Sequence, residues 1–313
     1  MKLLFTEYTR TQCRDLFGGQ VVSPVLPYSY KRECLAGCDE EAPGSVSVSG
    51  AQQKMAVVAE AGRLRFAREG ETGTHILKPS PQRFALSRDI PANEALCMRI
   101  CRELFRLPTA ASALCFFSDG VPAYLTRRFD LMPMGGKAHM EDFASLSNME
   151  MHGSSNRKYH GSYEQLAEVL KSCSTTPLLD LRRFFCMVLS NYLLCNGDAH
   201  AKNFSMIEDV NGGFTLAPAY DVMNTAVHVN DSPFAMSLGL FADGRTAEKK
   251  RVRDHFLAWG GLIGLSQKIA ALDLNMMLQQ QKRIEAMLSD SFLSQKAQRV
   301  FLYHSRLRFA QFL

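Results

Sequence analysis

The hydrophobic pattern of this 313-residue chain changes near its middle, and the change limits the folds that it can adopt. Before Phe129 the readable segments are short, rich in β-branched residues and bounded by turn signals, which is typical of strands. After Phe129 apolar residues recur at helical spacing over longer stretches, as between 178 and 194. We therefore predict an α+β fold in which a β-rich first half meets a helix-rich second half near 126–130.

The first half predicts two hairpins, a strand that carries a lysine, and one helix. A small-residue kink at 49–51 interrupts the first strand pattern, and Pro91 is favourable at the start of the helix. Residues 1–44 show no sustained period. The predicted segments are a strand over 45–60 that turns at 61–63 and returns over 64–69, a strand over 74–80, a helix over 91–105, and a hairpin of 111–118 with 121–130 around Asp119-Gly120.

The second half predicts a long helix, a polar loop and a hairpin, followed by further helices. The helical pattern over 178–194 runs into Asn196-Gly197, a dipeptide that ends helices. The polar loop 196–204 therefore lies between a long apolar helix and a strand. The other predicted segments are a helix around 166–170, a hairpin of 204–208 with 214–218, and helices from about Thr246 to the end.

Composition is that of a cytoplasmic protein with reduced thiols. No apolar run reaches the roughly 18–20 residues of a membrane span, and no secretory h-region forms before Glu7. The nine cysteines, an odd number mostly inside apolar runs, favour core thiols over a disulfide framework. Zinc at Cys34 and Cys38 would need two more ligands, and only Cys13 is at hand.

The net charge of +5 is mildly basic. It permits contact with nucleic acid or an acidic partner without demonstrating either. The densest basic cluster is Lys249, Lys250, Arg251 and Arg253. Such a run is typical of a solvated helix face, although it could assist a DNA-binding partner by meeting phosphates.

The strongest chemical signal is the segment Asn-Gly-Asp-Ala-His-Ala-Lys-Asn-Phe at 196–204. Asp198 and Asn203 have the spacing found in phosphotransfer catalytic loops. A carboxylate can orient an attacking hydroxyl and accept its proton, and an amide oxygen can ligate magnesium. Asp221, just after the hairpin, suits a second metal ligand. Each residue alone could be an Asx turn residue, but this order of elements and residues is much rarer.

A nucleotide kinase also needs a small-residue loop over the phosphates, a strand lysine, and a helical glutamate that holds the lysine. Residues 47–51, Lys78 and Glu94 occur in that order, and Glu94 is expected in the first helical turn, where the dipole favours a carboxylate. Taken by itself, the Ser-Gly kink would be interpreted as a bulge in a strand, and Lys78 as a lysine on an edge strand. No G-x-x-x-x-G-K-[ST] occurs, so a Walker-type NTPase is excluded.

His200 lies two residues past Asp198 and has two interpretations. It is either a loop histidine bonded to the backbone or a residue that helps to bind substrate or phosphate. The other histidines have no ligand-like spacing, so we interpret them as structural or exposed.

Several ordered motifs resemble those of the HipA-like serine/threonine kinase toxins of bacteria. They are S-V-S-G-A-Q-Q-K (47–54), H-I-L-K-P (75–79), N-E-A (93–95), R-R-F-D (127–130), D-A-H-A-K-N-F-S (198–205) and A-P-A-Y-D-V (217–222). The resemblance runs from about residue 45 to 310. It implies a bilobed protein-kinase-like fold that uses ATP and Mg²⁺. The N-lobe would span 1–128, with the phosphate loop, the ATP lysine and a regulatory helix, and the helical C-lobe 129–313.

The resemblance also implies roles for individual residues. Asp198 would be the catalytic base, with His200 and Lys202 beside it, and Asn203 and Asp221 would ligate magnesium. The positions implied to bind ATP are Ser49, Gly50, Ala51, Gln52, Lys54, Lys78, Glu94, Arg127, Phe129 and Asp130, where the hinge 127–129 meets adenine through its backbone.

The phosphate loop and the start of the chain carry two further implications. In the family, serines of this loop are autophosphorylated, which ejects the loop and inactivates the kinase. Ser47 and Ser49 are the matching positions, and Ser45 is an additional serine. Because this loop lies close to the start of the given sequence, we expect the chain to lack the N-terminal subdomain of full-length HipA-like toxins. It therefore resembles HipT, the short kinase of three-part HipB–HipS–HipT systems.

Two departures from familiar patterns concern the hinge and the catalytic loop. Arg127 stands at a hinge position that is often acidic in the family, so nucleotide preference does not follow from the resemblance. The catalytic loop lacks the His-Arg pair that precedes the aspartate in eukaryotic kinases.

The resemblance implies a toxin that phosphorylates an aminoacyl-tRNA synthetase and arrests growth. From the resemblance to the short HipT-like members, tryptophanyl-tRNA synthetase is the first expectation and glutamyl-tRNA synthetase the second. Residues 131–165, an expected substrate-facing insertion, do not choose between them. The expected partners are a HipS-like small antitoxin and a HipB-like DNA-binding protein, through which alone the chain would meet DNA. A small-molecule or lipid kinase and a non-catalytic binding module remain alternatives.

Overall fold

The computed structural model of the chain describes residues 7–34, 52–81, 84–132, 135–147, 157–230, 232–244 and 252–313. These residues form a mixed α/β fold, with a five-stranded sheet in the first part and mainly helices in the second. The predicted fold class, α+β with a β-rich first half and a helix-rich second half, is therefore confirmed. The phosphate-loop serines, Cys38 and most of the basic cluster at 249–253 lie outside the described residues.

A five-stranded antiparallel sheet forms the first part of the fold. Its strands are β1 (Met55–Glu60), β2 (Arg63–Phe66), β3 (His75–Pro79), β4 (Ser112–Phe116) and β5 (Pro122–Arg127). They are arranged in the order β2-β1-β3-β5-β4, so β3 is the central strand. Ala61 and Gly62 both have positive φ, which is the turn geometry that matches the twist of a hairpin. Both predicted hairpins and the strand that carries Lys78 are confirmed.

Helix α1 (Arg10–Phe17) packs on one face of the sheet. Thr9 and Gln12 form a capping box at its start. Leu16 enters the same buried cluster as alternate residues of the sheet. His75 Nε2 on β3 lies 3.0 Å from the carbonyl oxygen of Leu16, to which it donates, so the central strand is tied directly to the helix. The short helix α2 (Tyr30–Cys34) follows.

Helix α3 (Ile90–Glu103) packs on the opposite face of the sheet, against Tyr124. Pro91 lies in its first turn, as the sequence predicts. Asp89, directly before the helix, accepts hydrogen bonds from the backbone N–H and the hydroxyl of Ser294, at 2.6 and 2.8 Å. Ser294 is also the N-cap of the last helix, so this pair fixes α3 against the C-terminal part.

The second part of the fold consists of helices and a small antiparallel sheet. Its elements are β6 (Met140–Asp142), α4 (Phe143–Leu146), α5 (Tyr163–Cys173), α6 (Pro177–Leu193), β7 (Ser205–Glu208), β8 (Phe214–Leu216), α7 (Val252–Leu262), α8 (Gln267–Leu278), α9 (Gln281–Ser289) and α10 (Gln295–Ala310). Helix α6 is buried along most of its length. Phe185 on α6 stacks on Trp259, with ring centroids 5.6 Å apart. The long helix and the hairpin β7–β8 therefore lie where the sequence predicts them.

The described cysteines, which exclude Cys38, are in the thiol form and almost all buried, as expected from their apolar surroundings. Over the same residues, no helix combines the length and the apolar character that crossing a bilayer requires.

We expect the free energy of unfolding to decrease as the pH falls from 6.5 towards 4, in part because of His75. Burial lowers the pKa of His75 to about 4, from 6.5 for a free histidine. Between these values the unfolded chain binds a proton that the folded chain does not, so the loss is about 1.4 kcal/mol per pH unit for this group. Urea unfolding at two pH values inside this window measures the effect. The free energy of unfolding of His75→Gln should decrease less between them than that of the wild type.

His160, which is exposed, provides the control for this prediction. His160→Gln should keep the wild-type dependence on pH. A His75→Gln variant with the full wild-type dependence would contradict the assignment of this effect to His75.

Candidate active site

Strand β3, helix α3 and the loop after β8 bring three charged side chains together. The ammonium of Lys78 lies 2.6 Å from Glu94 Oε1 and 2.7 Å from Asp221 Oδ1. Only 7%, 0% and 8% of the side-chain surfaces of Lys78, Glu94 and Asp221 are exposed. Glu94 is the fifth residue of α3, so it lies just beyond the first turn in which the sequence led us to expect it. Three residues predicted to hold ATP and metal are thus in direct contact.

The electrostatics of this triad keep the lysine charged. Burial opposes the charge of Lys78, but the attraction of Asp221 and Glu94 outweighs it, so the pKa of Lys78 is raised. Burial raises the pKa of Glu94 to about 7. Glu94 Oε2 has no hydrogen-bond partner among the described residues. A charged ammonium held by carboxylates in a buried site is what a phosphate-binding lysine requires.

Asp198 lies in a short loop directly after α6. Cys195 has a left-handed backbone conformation, with φ of 57°, and it turns the chain at the end of the helix. Asn203 then donates from Nδ2 to the backbone carbonyl of Asp198, at 2.8 Å. This bond closes the loop across the predicted Asp-to-Asn spacing. It uses the amide nitrogen and leaves the amide oxygen as the atom suited to a cation.

The hydroxyl of Thr225 joins the catalytic loop to the loop that carries Asp221. It accepts a hydrogen bond from the Gly197 N–H at 2.8 Å and donates to the Cys195 carbonyl at 3.0 Å. Gly197 directly precedes Asp198 in the chain. One buried hydroxyl therefore fixes the two loops relative to each other.

The loop that carries Asp221 is also tied to α3. Asn93, the neighbour of Glu94, accepts a hydrogen bond from the Asn224 N–H at 3.0 Å and donates to the Asn224 carbonyl at 2.8 Å. Asp221 itself has φ of 59°, which is uncommon for a residue with a side chain. These contacts hold an unfavourable backbone conformation that aims the Asp221 carboxylate at Lys78.

The carboxylate of Asp198 meets two aromatic side chains. The hydroxyl of Tyr159 donates to Asp198 Oδ1 at 2.6 Å. His200 Nε2 lies 3.7 Å from the same oxygen, which is too long for a hydrogen bond. Burial lowers the pKa of His200 to about 4, so the ring is neutral at neutral pH. Neither ring nitrogen of His200 has a hydrogen-bond partner among the described residues, and water or a substrate would satisfy them.

The predicted hinge residues lie at the end of β5. The guanidinium of Arg127 donates to the carbonyl of Asp15 in α1, so this side chain is engaged with the N-terminal helix. The backbone N–H groups of Arg127 and Arg128 donate to carbonyls of neighbouring segments. Asp130 forms an ion pair with Arg128, and the Phe129 ring contacts that of Tyr220.

The described end of the phosphate loop lies beside β3. Gln52 is buried and donates from Nε2 to the carbonyl of Pro79, the residue after Lys78, at 3.1 Å. Lys54 and Lys202 are exposed. Ser47, Ser49, Gly50 and Ala51 lie outside the described residues, so their roles stay predictions.

The donor set of the site suits magnesium. Asn203 and Asp221 offer an amide and a carboxylate oxygen, and Mg²⁺ commonly takes few protein ligands and completes its shell with water and phosphate oxygens. In the part of the chain that the structure describes, no group of three His, Cys, Asp or Glu side chains could hold a metal ion. The alternative zinc site would include Cys38, which is outside that part, and Cys34, which is buried.

The sheet, the buried triad and the mainly helical second part define a kinase-like fold. Residues 46–290 match the family of HipA-like C-terminal domains. Because the match covers most of the chain, the chain belongs to that family.

Two relatives carry kinase names. A Haemophilus influenzae protein named "Putative kinase" is 28% identical over 294 residues, which cover 87% of this chain and 83% of that protein. The similarly named Y4mE of Sinorhizobium fredii is 29% identical over 201 residues, which cover 62% of this chain but only 46% of Y4mE. These relatives support a kinase without indicating its substrate.

Two solved structures share the fold. HipA, in a complex of Shewanella oneidensis HipA, HipB and operator DNA, has a TM-score of 0.66 at 19% identity. The similarity covers 87% of this chain and 65% of the HipA chain. The proinflammatory kinase CtkA of Helicobacter pylori has a TM-score of 0.54 at 14% identity, over 79% of this chain and 90% of CtkA. At these identities the similarity establishes the kinase-like fold alone.

Sequence reasoning did not single out Tyr159, Asn224 or Thr225. Their partners lie 39, 131 and 28 residues away along the chain. Spacing patterns extend over a few residues and carry no signal of such contacts. Asn93 stood within the quoted N-E-A motif, but only the structure shows what its side chain binds.

Replacing Lys78 should destabilise the folded protein. Lys78→Met removes the ammonium that pairs with the buried Glu94 and Asp221 carboxylates, and we expect a loss of about 3–5 kcal/mol in the free energy of unfolding. Urea denaturation measures it. The double variant Lys78→Met/Glu94→Leu should recover part of the loss, whereas Lys268→Met, at an exposed position of α8, should change little. A Lys78→Met variant as stable as wild type would contradict the buried ion pairs.

Replacing Thr225 should loosen the catalytic loop. Thr225→Val keeps the shape but removes the hydroxyl, and the buried Gly197 N–H and Cys195 carbonyl lose a partner. We expect a loss of about 1–3 kcal/mol in the free energy of unfolding and faster hydrogen exchange at the Gly197 amide. Thr225→Ser retains the hydroxyl and should behave like wild type. Equal exchange in the valine and serine variants would show that this bridge does not hold the loop.

Proposed function

We propose that this protein is an ATP- and Mg²⁺-dependent serine/threonine protein kinase. The observation that carries the proposal is the position of Lys78 between Glu94 and Asp221. A strand lysine paired with a helical glutamate serves the α- and β-phosphates of ATP in protein kinases, and an aspartate after the catalytic loop serves the metal. Membership of a family whose relatives carry kinase names supports the same activity.

The residues of the candidate site have distinct proposed roles. Asp198 accepts the proton of the attacking hydroxyl while the hydroxyl oxygen forms a bond to the γ-phosphorus and ADP leaves. Asn203 and Asp221 hold Mg²⁺, which neutralises phosphate charge when bound. His200 contacts the acceptor or the transferred phosphate, a role that its two unpartnered buried nitrogens support. Lys202, exposed in the same loop, is proposed to act beside it.

The nucleotide is proposed to lie between the sheet and the catalytic loop. Gln52, bonded beside Lys78, supports the placement of the phosphate loop 49–54 over this site. The hinge residues 127–130 are proposed to meet the adenine. The proposed N-lobe then spans 1–128 and the C-lobe 129–313.

Within this class we propose a toxin of the HipT type that phosphorylates an aminoacyl-tRNA synthetase, with the tryptophanyl enzyme favoured. The structural neighbour HipA is in a complex with HipB and operator DNA, which supports a HipB-like partner here. A HipS-like protein is the proposed antitoxin. Autophosphorylation of Ser47 or Ser49 is the proposed switch, because added negative charge beside the ATP phosphates would repel them.

Labelled ATP and a bacterial lysate test the activity. The wild-type protein with Mg²⁺ should label protein, and Asp198→Asn, which keeps the shape but removes the base, should lower the rate about 10²–10⁴-fold. Chelation of Mg²⁺ should abolish labelling. Asp290→Asn, at an exposed position, serves as the matched control. Comparison of phosphopeptides from wild type and Asp198→Asn identifies the substrate.

Mass spectrometry of residues 45–51 must accompany this experiment, because prior phosphorylation of the loop would silence an active enzyme. Labelled metabolites or lipids without labelled protein would point to a small-molecule or lipid kinase. Failure of the unphosphorylated protein to bind ATP would contradict kinase activity and favour a binding module.

A further inference from the structure

We infer that the hydroxyl of Tyr159 occupies the acceptor position at Asp198, so that a substrate hydroxyl must displace it before phosphate transfer. The inference rests on the proposed kinase function and adds the residue that controls access to the base. Tyr159 ends a short 3₁₀ turn, Arg157–Tyr159, that precedes α5. It lies in the segment 131–165, which we expected to face the substrate.

The geometry of the contact is that of an acceptor on its base. The Tyr159 hydroxyl lies 2.6 Å from Asp198 Oδ1 and donates its proton to it. A general base must be within about 2.6–3.2 Å of the oxygen whose proton it accepts. The tyrosine therefore makes the hydrogen bond that the hydroxyl of a serine or threonine substrate has to make.

The backbone around Tyr159 is held in place on the second part of the fold. The carbonyl of Tyr159 accepts a hydrogen bond from the Ser237 N–H at 2.7 Å. Two residues on, the N–H of Gly161 donates to the hydroxyl of Ser237 at 3.2 Å, and the carbonyl of Gly161 accepts from the N–H of Leu238 at 2.9 Å. Ser162 then begins α5 with a capping box. These hydrogen bonds form a frame that holds the backbone of Tyr159 in place. The contact of its hydroxyl with Asp198 is therefore set by ordered structure.

The ring of Tyr159 is only half-buried and packs against the main hydrophobic core cluster without being one of its buried members, so its side chain can rotate while those members stay packed. One side meets the edge of His200, with centroids 5.1 Å apart and planes at 77°. The ammonium of Lys158 lies 5.0 Å from the ring centroid. Rotation of the side chain about its fixed backbone would remove the Tyr159 hydroxyl from Asp198 Oδ1 while the frame stays intact.

A second tyrosine nearby shows what a purely structural contact looks like. Tyr163, four residues later, is fully buried and donates to the backbone carbonyl of Ala199 at 2.9 Å. Tyr159 instead is half-buried and uses the carboxylate proposed to react. This difference supports a role for Tyr159 in access to the base.

The position of the Tyr159 hydroxyl on Asp198 also bears on the class of acceptor. Water cannot easily replace a framed phenol on the carboxylate, so hydrolysis of ATP would be suppressed when no substrate is bound. A folded protein can contact the surface around residues 157–161 and 237–239 and displace the ring as it docks. The inference therefore favours a protein substrate over a free small molecule.

Tyr159→Phe tests the inference, because it removes the hydroxyl and keeps the ring against His200. The probes are ATP hydrolysis without an acceptor and phosphorylation of myelin basic protein as a generic acceptor. We expect hydrolysis to rise about tenfold, the factor that one hydrogen bond to a charged group commonly contributes. The KM for the protein acceptor should fall while kcat is retained. Tyr303→Phe, at a residue that is 62% exposed, should leave both unchanged.

The other outcomes are also informative. A lower kcat at constant KM in Tyr159→Phe would overturn the inference and make Tyr159 a residue that orients the base. Unchanged hydrolysis and KM would overturn it as well. In Tyr159→Phe/Asp198→Asn the gain should vanish, because it passes through the base. If wild type labels protein and Tyr159→Phe shows no gain, only this inference fails. If neither protein binds ATP or turns it over, the proposed function fails and the inference falls with it.

Discussion

The paired charges of Lys78 are the interaction on which the rest of the site depends. A buried ammonium is costly unless it is paired, and its two partners come from a helix and from a distant loop. The sheet, α3 and the second part of the fold must therefore assemble before the charge is satisfied. The bonds of Asn93 to Asn224 and of Asp89 to Ser294 fix α3 in the position that this pairing requires.

Local patterns predicted the elements, and contacts between distant segments decided the rest. Strand β3 and helix α6 were predictable because their periodicity and their boundary residues lie within a few positions of each other. Lys78 and Glu94 were predictable as a pair because kinase order constrains them. Helix α1 was missed, since eight residues are too few for a clear period, although Thr9 and Gln12 carried a readable capping signal.

In the candidate site, too, local sequence patterns predicted some residues, and contacts between distant segments stayed hidden. The Asp-to-Asn spacing identified Asp198 and Asn203, because the loop that joins them is closed by a bond between these two residues. The left-handed conformation of Asp221 was not predictable, since aspartate has no strong preference for it and the cost is met by tertiary contacts. The bridge made by Thr225 was equally hidden, because a single threonine at the start of a short 3₁₀ turn has no distinctive pattern.

The two sides of the site are anchored to different parts of the molecule. The proposed nucleotide side, around Lys78, is built from the sheet and α3, whereas the proposed acceptor side, around Tyr159, is framed by residues 237–239. Asp198 contacts Tyr159 and lies on a loop that Thr225 fixes to the loop carrying Asp221. In the mechanism that we propose, access to Asp198 therefore changes by rotation of one half-buried side chain, without any movement of the buried ion pairs. Under that proposal, the separation lets the protein assemble the residues for phosphate transfer and still withhold Asp198 from water until a substrate docks.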